Sequence, residues 1–198
     1  MARRRAVVED ERGASAERTR ERILQAAVEE FGAKGYSGAR TAGIATRAGV
    51  NQQLISYHFG GKQGLLDELR RRWAEREAAL VPPDASFAES FSTYLDATLD
   101  QPDWSRLVIW QALGDGEGMT ATQRAGLRQA VEGMRRRQEG GELTGDLDPG
   151  FVLLLAYVLT FAPISLPEHV REILGVDPLS EEYRAQVRDQ LMKVLRAE

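Results

Sequence analysis

Four polar side chains recur along one short segment, residues 52–58, and their types suit hydrogen bonding to nucleic acid. Gln52, Gln53, Ser56 and Tyr57 carry amide and hydroxyl groups. A Gln amide donates and accepts at once, which matches the edge of a base, and hydroxyl groups suit phosphate oxygens. None of the four side chains is acidic, so this face would not repel phosphates. The pattern indicates contact with base edges and with the phosphate backbone.

Two short segments with apolar periodicity position this face, and Gly49 lies between them. The first covers residues 42–48 and the second residues 52–58. Thr41 and Asn51 precede them, and we expect both to be N-caps because their side-chain oxygens accept free backbone N–H groups. Gly49 adopts the left-handed conformation at little cost, so it ends one helix and turns the chain into the next. Together the segments predict a helix-turn-helix. The residues expected to face inward are Ile44, Ala45, either Leu54 or Ile55, and Phe59.

A larger set of residue types at fixed spacing surrounds this motif and follows the helical stretch RTRERILQAAVEEFGAKGY. Its members are Thr41, Ile44, Ala45, Ala48, Gly49, Val50, His58, Phe59, Lys62, Leu65 and Leu66. With these residues, the segment from about 18 to 68 resembles the DNA-binding domain of the TetR (tetracycline repressor) family of bacterial transcriptional regulators. Two positions depart from the family pattern. Ser56 stands where the family usually has Tyr, and Gly61 stands where Ser or Asn often precedes the Lys.

The resemblance implies an all-α homodimeric protein that binds a palindromic double-stranded DNA operator and releases it when a small-molecule effector binds. It implies a repressor first, although the sequence leaves an activator open. We expect a tail at 1–14, a three-helix DNA-binding domain at 15–62 and a C-terminal helical ligand-binding and dimerisation domain at 63–198. The residues expected to contact DNA are Arg40, Thr41, Asn51, Gln52, Gln53, Ser56, Tyr57, His58 and Lys62.

These DNA-binding residues divide into two kinds. We expect Thr41, Tyr57, His58 and Lys62 to face phosphates, because a helix N-terminus and a cation or hydroxyl attract an anion. Gln52 and Gln53 suit the N6/N7 edge of adenine and would read sequence. Asn51 ranks below them because its side chain is expected to be occupied as a cap.

The net charge of −4 looks wrong for a DNA-binding protein until the chain is divided. Residues 1–62 hold eleven Lys or Arg and seven Asp or Glu, a balance of +4, whereas residues 63–198 hold fifteen and twenty-three, a balance of −8. This asymmetry places the cationic surface where phosphates would lie. Cys is absent, which excludes disulfides and thiol nucleophiles and fits a cytoplasmic protein. No apolar run reaches about 18 residues, so we expect no membrane span.

The remaining periodicity predicts helices throughout and no strand. The tail at 1–14 is polar and reads as disordered, and the loop 114–118 offers no metal site. Helices are predicted at 16–34, 62–80, 87–100, 104–113, 121–139, 149–162 and 181–197. Their expected N-terminal caps are Ser15, Ser86 with Glu89, Asp103, Thr120 with Gln123, Asp148 and Ser180.

Aromatic and Met side chains of the second domain have two interpretations. The plain one is the core of a helical bundle, and the functional one is the lining of an effector site between helices. The residues concerned are Phe91, Tyr94, Trp104, Trp110, Met119, Met134, Tyr157 and Phe161. We expect the fluorescence of Trp104 and Trp110 to report effector entry, and the helix at 62–80 to link the effector site to the DNA-binding domain.

Dimerisation is expected through helices 149–162 and 181–197, and Leu191→Glu with Leu195→Glu is expected to separate the protomers. No catalytic constellation, metal site or cofactor is predicted, so an enzyme is not expected. The alternative function is a helical ligand-binding or interaction protein without sequence-specific DNA binding. The basic N-terminal third and the acid-free face argue against that alternative.

Overall fold

The computed structural model describes residues 2–82, 84–115 and 119–196, with side-chain surroundings from residue 14 onward except at Ala78. Within these ranges the chain forms ten α-helices and no strand, which confirms the all-α prediction. The helices are α1 (Ala2–Gly38), α2 (Thr41–Ala48), α3 (Gln53–Phe59), α4 (Lys62–Ala78), α5 (Phe87–Leu99), α6 (Pro102–Ala112), α7 (Ala121–Glu139), α8 (Pro149–Ser165), α9 (Pro167–Leu174) and α10 (Glu181–Leu195). Met1, Pro83, residues 116–118 of the predicted loop and the last residue predicted for α10, Ala197, lie outside the described residues.

The first hydrophobic core joins α1 to α4 and includes one face of α6. Ile23, Phe31, Ile44 and Ile55 are fully buried in it, and Leu107 of α6 is fully buried beside them. Because apolar burial contributes roughly 25 cal/mol per Å2, these side chains hold the helix-turn-helix on α1 and α4. The inward residue of α3 is Ile55, whereas Leu54 is half-buried against the same core.

The second core is formed mainly by α5, α8 and α10. Its fully buried members include Leu95, and Tyr183 and Leu191 of α10 are 1% and 2% exposed. Leu195 is 0% exposed in the same cluster. The double substitution Leu191→Glu with Leu195→Glu would therefore disrupt the protomer's own core, and it is the wrong test of dimerisation.

Most of the predicted N-terminal caps in the C-terminal domain are present in the structure. Ser86 with Glu89 and Thr120 with Gln123 form capping boxes as predicted. The side chains of Asp148 and Ser180 also accept the expected N–H groups. The predicted caps Asp103 and Thr41 are wrong. The N-cap of α6 is Gln101, with Pro102 and Asp103 in the first turn, and the N-cap of α2 is Arg40, which puts Thr41 inside the helix.

The start of α1 also differs from the prediction. The helix extends back to Ala2, so residues 2–14 continue it where we expected a disordered tail, and Ser15 lies within the helix instead of capping it. Ala, Arg and Glu are strong helix formers, and a helix already nucleated on the core propagates through them at little cost. Gly35, with φ of 70°, breaks the regular helix where the prediction ended it.

Helix α8 continues past the point where Pro163 was expected to end it, and it reaches Ser165. Proline has no N–H, so the carbonyl oxygen of Leu159 has no helical donor. The hydroxyl group of Tyr183 donates to that carbonyl at 2.7 Å. A hydrogen bond between α10 and α8 thus replaces the missing one. Among the described residues, no single helix is both long enough and apolar enough to cross a membrane. Helices α8 and α9 meet these two conditions only when they are counted together, and the chain bends by 104° between them.

Candidate nucleic-acid interface

The turn between α2 and α3 fixes the orientation of the exposed face. Gly49 has φ of 62° and ψ of 42°, and its N–H is directed at the carbonyl groups of Ala45 and Thr46. Arg22 of α1 donates from Nη2 to the carbonyl oxygens of Ala48, at 2.5 Å, and Gly49, at 3.2 Å. A cation at the carbonyl end of a helix is favourable. The angle between α2 and α3 is therefore held from the core side.

The outer face of α3 is open to solvent. Gln52, Gln53 and Ser56 are exposed, and 81% of Tyr57 is exposed. Ile55 on the opposite side of the same helix is fully buried, so α3 presents amide, hydroxyl and aromatic groups to solvent.

Two hydrogen bonds order the start of α3. The Oδ1 atom of Asn51 accepts the backbone N–H of Gln53, the first residue of α3, at 2.8 Å, although the N-cap position itself is occupied by Gln52 and not by Asn51 as predicted. The Nε2 atom of Gln52 donates to Oγ1 of Thr41 at 2.8 Å. The sequence assigns Gln52 to a base and Thr41 to a phosphate, whereas the structure joins the two side chains. Gln53 has no side-chain partner in the region described around it, so its amide is the freer of the two.

Lys62 begins α4, and its Nζ atom lies 4.4 Å from the centroid of the Tyr36 ring. Tyr36 in turn donates its hydroxyl proton to Oε1 of Gln63 at 2.7 Å. Gly61 is the N-cap of α4 and provides no side-chain cap, so the free N–H groups of the first turn remain available to an anion. The predicted phosphate site thus combines a helix N-terminus with a lysine held beside it.

The half-buried ring of His58 lies between two aromatic neighbours, with ring centroids 5.0 Å from Tyr57 and 6.2 Å from Phe59. Its carbonyl oxygen accepts Nη1 of Arg20 at 3.1 Å. Arg40 is exposed at the N-cap of α2, close to Thr41. All nine residues predicted to contact DNA therefore lie at the N-cap of α2, on α2 or α3, in the turn between them, or at the start of α4.

One acidic group lies behind this surface. Glu30 is 2% exposed, and its carboxylate binds Nζ of Lys34 at 2.7 Å and faces Nη2 of Arg47 at 3.6 Å. The hydrogen bond from Lys34 is the main reason that the pKa of Glu30 lies below its usual value, despite the opposing effect of burial. Because the carboxylate is paired, it does not offset the cationic surface above it.

The predicted ligand-lining residues separate into three groups. Trp104 stacks on Trp73 at 5.0 Å between centroids, and Trp110 donates from Nε1 to the carbonyl oxygen of Gly32 at 3.2 Å. Both Trp side chains therefore lie at the junction of α6 with α1 and α4, and their fluorescence would report that junction. Phe91 and Met134 belong to the second core.

The third group remains open to solvent. Tyr94 of α5 is 38% exposed, and Tyr157 of α8 is 45% exposed and stacks on Phe161 at 6.2 Å. Met119, two residues before α7, is 48% exposed. Burial, and after it the charge of Glu77, raises the pKa of both tyrosines.

Residues 23–69 match the model described as bacterial regulatory proteins of the tetR family, and residues 90–193 match the tetracyclin repressor-like C-terminal domain. The second match alone covers more than half of the chain.

The chain belongs to the TetR family.

Individual TetR relatives agree with this assignment. The chain is 29% identical to the HTH-type transcriptional repressor SCO4008 of Streptomyces coelicolor, over 80% of this chain and 85% of the relative. It is 31% identical to the HTH-type transcriptional regulatory protein RaaS of Mycobacterium tuberculosis, over 68% and 70% of the two chains. The crystal structure of SCO4942 from Streptomyces coelicolor superimposes with a TM-score of 0.73 at 26% identity and covers 91% of this chain and 99% of that one.

As a TetR protein, the chain is a ligand-responsive DNA-binding transcriptional regulator. The family consists of regulators rather than enzymes. Among the described residues, no three His, Asp or Glu side chains come together in a group that could hold a metal ion.

Proposed function

We propose that this TetR protein is a cytoplasmic homodimeric repressor without enzymatic activity, which binds a palindromic operator through α3 and leaves it when a small molecule binds the C-terminal helices. The observation that carries the DNA-binding part is the solvent-open face of α3, with Gln53 and Tyr57 exposed and Lys62 beside it. The alternative of a helical interaction protein would not require a face of this kind to be held by a capped turn.

The side chains of this face have separate roles in the proposal. Lys62 and the start of α4 bind a phosphate, with Arg40, Thr41, Tyr57 and His58 along the same strand. Gln53 reads a base edge directly. Gln52 reads a base only when its amide leaves Thr41, so we rank it after Gln53. Ser56 lies next to the base-reading side chains, and Asn51 acts through its hydrogen bond to the backbone N–H of Gln53.

The experiment is a salt titration on operator and on scrambled DNA. Lys62→Ala should weaken binding to both DNAs about equally and make the slope of log affinity against log salt shallower by about 0.9 for each phosphate that the variant no longer neutralises. Gln53→Ala should leave the slope unchanged and cost roughly 1–3 kcal/mol of discrimination at particular base pairs. Gln190→Ala, an exposed amide on α10, is the matched control and should change neither quantity. A change of sequence preference in Lys62→Ala, or none in Gln53→Ala, would contradict these roles.

The dimer is proposed to form through the outer face of α8. Phe151, Leu154 and Val158 are 51%, 58% and 54% exposed, and they lie on one side of the helix. Val194 of α10, a helix that also contacts α8, is 58% exposed as well. Monomeric proteins seldom leave so much contiguous apolar surface in water, so a second copy of the chain is the natural occupant. The dimer would present two α3 helices to successive major grooves, about 34–36 Å apart or a multiple of it.

The effector is proposed to bind among the C-terminal helices. Its coupling to DNA is reciprocal, so a ligand that weakens operator binding by some factor is itself bound more weakly, by the same factor, when DNA is present. The sequence predicts α4 as the connecting element. The structure adds α6, whose Leu107 and Trp104 are buried in the same core as the helix-turn-helix.

A further inference from the structure

Arg20 of α1 joins the end of α3 to α4. Its Nη1 atom donates to the carbonyl oxygen of His58 at 3.1 Å, and its Nη2 atom lies 2.9 Å from Oε1 of Glu68. The central carbon atom of its guanidinium group lies 4.6 Å from the centroid of the Phe59 ring. We call Arg20, Glu68, the His58 carbonyl group and the Phe59 ring the Arg20 bridge. Sequence reasoning missed this bridge because Arg20 is distant from its partners along the chain.

The two residues between α3 and α4 do not by themselves fix the angle between these helices. Gly60 and Gly61 have φ of 72° and 109°, values that residues other than glycine rarely adopt. Among the described residues, no atom beyond the chain neighbours lies within 4 Å of a Cβ atom placed at either glycine. Glycine also has more conformational freedom than any other residue. The orientation of the last turn of α3 relative to α4 therefore depends on contacts outside this joint.

Core packing is complete at the middle of α3 and partial at its last turn. Ile55 is fully buried in the first core, whereas His58 and Phe59 are half-buried and Tyr57 is 81% exposed. The last carbonyl groups of a helix have no helical N–H donor. Arg20 provides a donor for the carbonyl group of His58, and a cation is favourable at this end of a helix. The Arg20 bridge thus holds the turn that carries two of the predicted phosphate contacts, Tyr57 and His58.

Glu68 is itself held in place, so Arg20 binds a fixed partner on α4. The Glu68 side chain is 13% exposed, and its Oε1 atom lies 3.0 Å from Nε of Arg72. Arg72 in turn reaches α1, where its Nη2 atom lies 2.6 Å from Oε1 of Glu21. Exposed ion pairs contribute little on their own, but a mostly buried carboxylate that binds more than one arginine keeps its position. The row from Arg20 to Glu21 therefore joins α1 to α4 at two points.

A guanidinium group suits this position because it is planar and donates from several nitrogen atoms at fixed angles, whereas an ammonium group has a single nitrogen atom. We propose that Arg20 is a positioning residue for sequence recognition. By joining His58 to Glu68, it sets the angle between α3, which reads bases, and the start of α4, which binds a phosphate. At that angle Gln53 meets a base edge while Lys62 remains on its phosphate. This inference rests on the proposed DNA-binding role of α3 and specifies what makes that role selective.

The test begins with an operator that the wild-type chain selects from random double-stranded DNA. Affinities for this operator and for a scrambled duplex are then measured at several salt concentrations. Arg20→Lys preserves the charge but cannot keep all the contacts of the bridge, so it should reduce the ratio of the two affinities about ten-fold. Non-specific binding depends on charge, so affinity for the scrambled duplex should stay within about two-fold of the wild type, with an unchanged salt slope. Arg18→Lys makes the same exchange at an exposed arginine of α1, and it should leave both affinities as in the wild type.

Glu68→Gln tests the other end of the bridge. It should also lower the ratio of the two affinities, which is compared at equal salt because the substitution removes a negative charge. The double variant Arg20→Lys with Glu68→Gln should lower the ratio no further than the stronger single variant, since both substitutions remove the same contact. Fully additive effects of the two substitutions on the ratio would overturn the proposal.

A purely structural role for Arg20 predicts a different result. If Arg20 only stabilised the domain, Arg20→Lys would lower the midpoint of urea unfolding, while the folded protein would keep the affinity ratio of the wild type. The DNA titrations are therefore made where circular dichroism shows that each variant is folded. An unchanged ratio in either folded variant, Arg20→Lys or Glu68→Gln, would overturn the proposal.

The wild type alone separates this inference from the proposed function. Failure to select an operator from random DNA, or equal affinities for operator and scrambled duplex, would refute the proposed function. A wild type that prefers its operator, together with an Arg20→Lys variant that keeps the same preference, would refute the positioning role of Arg20 alone.

Discussion

The carboxylate of Asp115 accepts the backbone N–H of Ser37, with its two oxygens 3.0 and 3.2 Å from the nitrogen atom. This hydrogen bond joins the segment after α6 to the segment that leads from α1 into α2, just after the break at Gly35. Burial raises the pKa of Asp115, but the hydrogen bonds from Ser37 and Tyr36 outweigh it, and the pKa lies below its usual value. The charged form of Asp115 therefore stabilises the approach to the helix-turn-helix.

Removing this carboxylate should loosen the segment that it holds. Asp115→Ala should lower the free energy of local opening at Ser37 by roughly 0.5–2 kcal/mol, the usual cost of removing a side-chain cap. Hydrogen exchange measured by NMR at Tyr36 and Ser37 would show faster exchange, while Asp115→Asn, which retains one acceptor, should have a smaller effect. Asp84→Ala changes an exposed aspartate in the loop after α4 and serves as the control. Unchanged protection at Ser37 in Asp115→Ala would contradict the role.

Gly64 allows α3 and α4 to approach closely. A Cβ atom at this position would overlap the carbonyl oxygen of Phe59, and the backbone would have to shift. Gly64→Ala should therefore cost about 1–3 kcal/mol of stability or more, and it should also weaken operator binding because Lys62 would move relative to α3. At Gly126 of α7 nothing lies within 4 Å of such a Cβ atom. Gly126→Ala should instead stabilise the protein by about 0.5–1 kcal/mol in urea unfolding.

Equal changes in the free energy of unfolding in Gly64→Ala and Gly126→Ala would contradict this role. Glycine at position 64 would then not be required by the close approach of α3 to α4.

Glu68 links α4 to α1 and should make stability depend on acid. Its carboxylate lies 2.9 Å from Arg20 and from Arg71, and 3.0 Å from Arg72. The hydrogen bond from Arg71, followed by those from Arg72 and Arg20, lowers the pKa of Glu68 to about 2 against the effect of burial. A depressed pKa in the folded state contributes stability above the unfolded value of 4.5, and this stability disappears as the pH falls towards 2.

Glu68→Gln should therefore reduce the free energy of unfolding at neutral pH, by on the order of 2–3 kcal/mol at most, and flatten its dependence on pH between these values. Urea unfolding at several pH values measures both effects. Glu132→Gln alters an exposed ion pair with Arg135 and should leave the pH profile as in the wild type. An unchanged profile in Glu68→Gln would mean that other carboxylates control acid stability.

The dimer interface is tested on the exposed face of α8 rather than on the core face of α10. Leu154→Glu with Val158→Glu places charges on residues that are 58% and 54% exposed, so the protomer should stay folded while the dimer dissociates. Light scattering should give the mass of one chain, and operator affinity should fall because one α3 helix binds alone. Tyr57→Glu, on the DNA-binding face, should remain dimeric. A double variant that stays dimeric would place the interface elsewhere.

The features predicted from sequence were those set by neighbours along the chain. Gly49, the capping boxes at Ser86 and Thr120, and the inward position of Ile55 depend on residues within one or two turns. Interactions between distant residues were missed. The Tyr183 hydroxyl that lets α8 pass Pro163 acts over 24 residues, and the hydrogen bond between Asp115 and Ser37 acts over 78.

The candidate sites follow the same division. The residues predicted to contact DNA lie in one continuous stretch, so their types and spacing could indicate a single surface. The predicted ligand residues come from several helices and one loop, and composition could not separate Trp104, which stacks in the first core, from Tyr157, which faces solvent. Helix α9 was overlooked because it spans only eight residues, about two turns, although Val170, Ile173 and Leu174 recur in it at helical spacing.

The hydrogen bond between Gln52 and Thr41 has a consequence for how the protein searches DNA. While the protein slides along DNA with no matching site, Gln52 keeps its internal partner and makes no bond to a base, so passing sequences gain nothing from it. A matching base edge has to replace that internal bond as well as meet the amide. Discrimination is the difference between the affinities for matching and non-matching sites. The internal bond prevents Gln52 from adding affinity at non-matching sites. Thr41 would thus keep the protein mobile on DNA until the operator is reached.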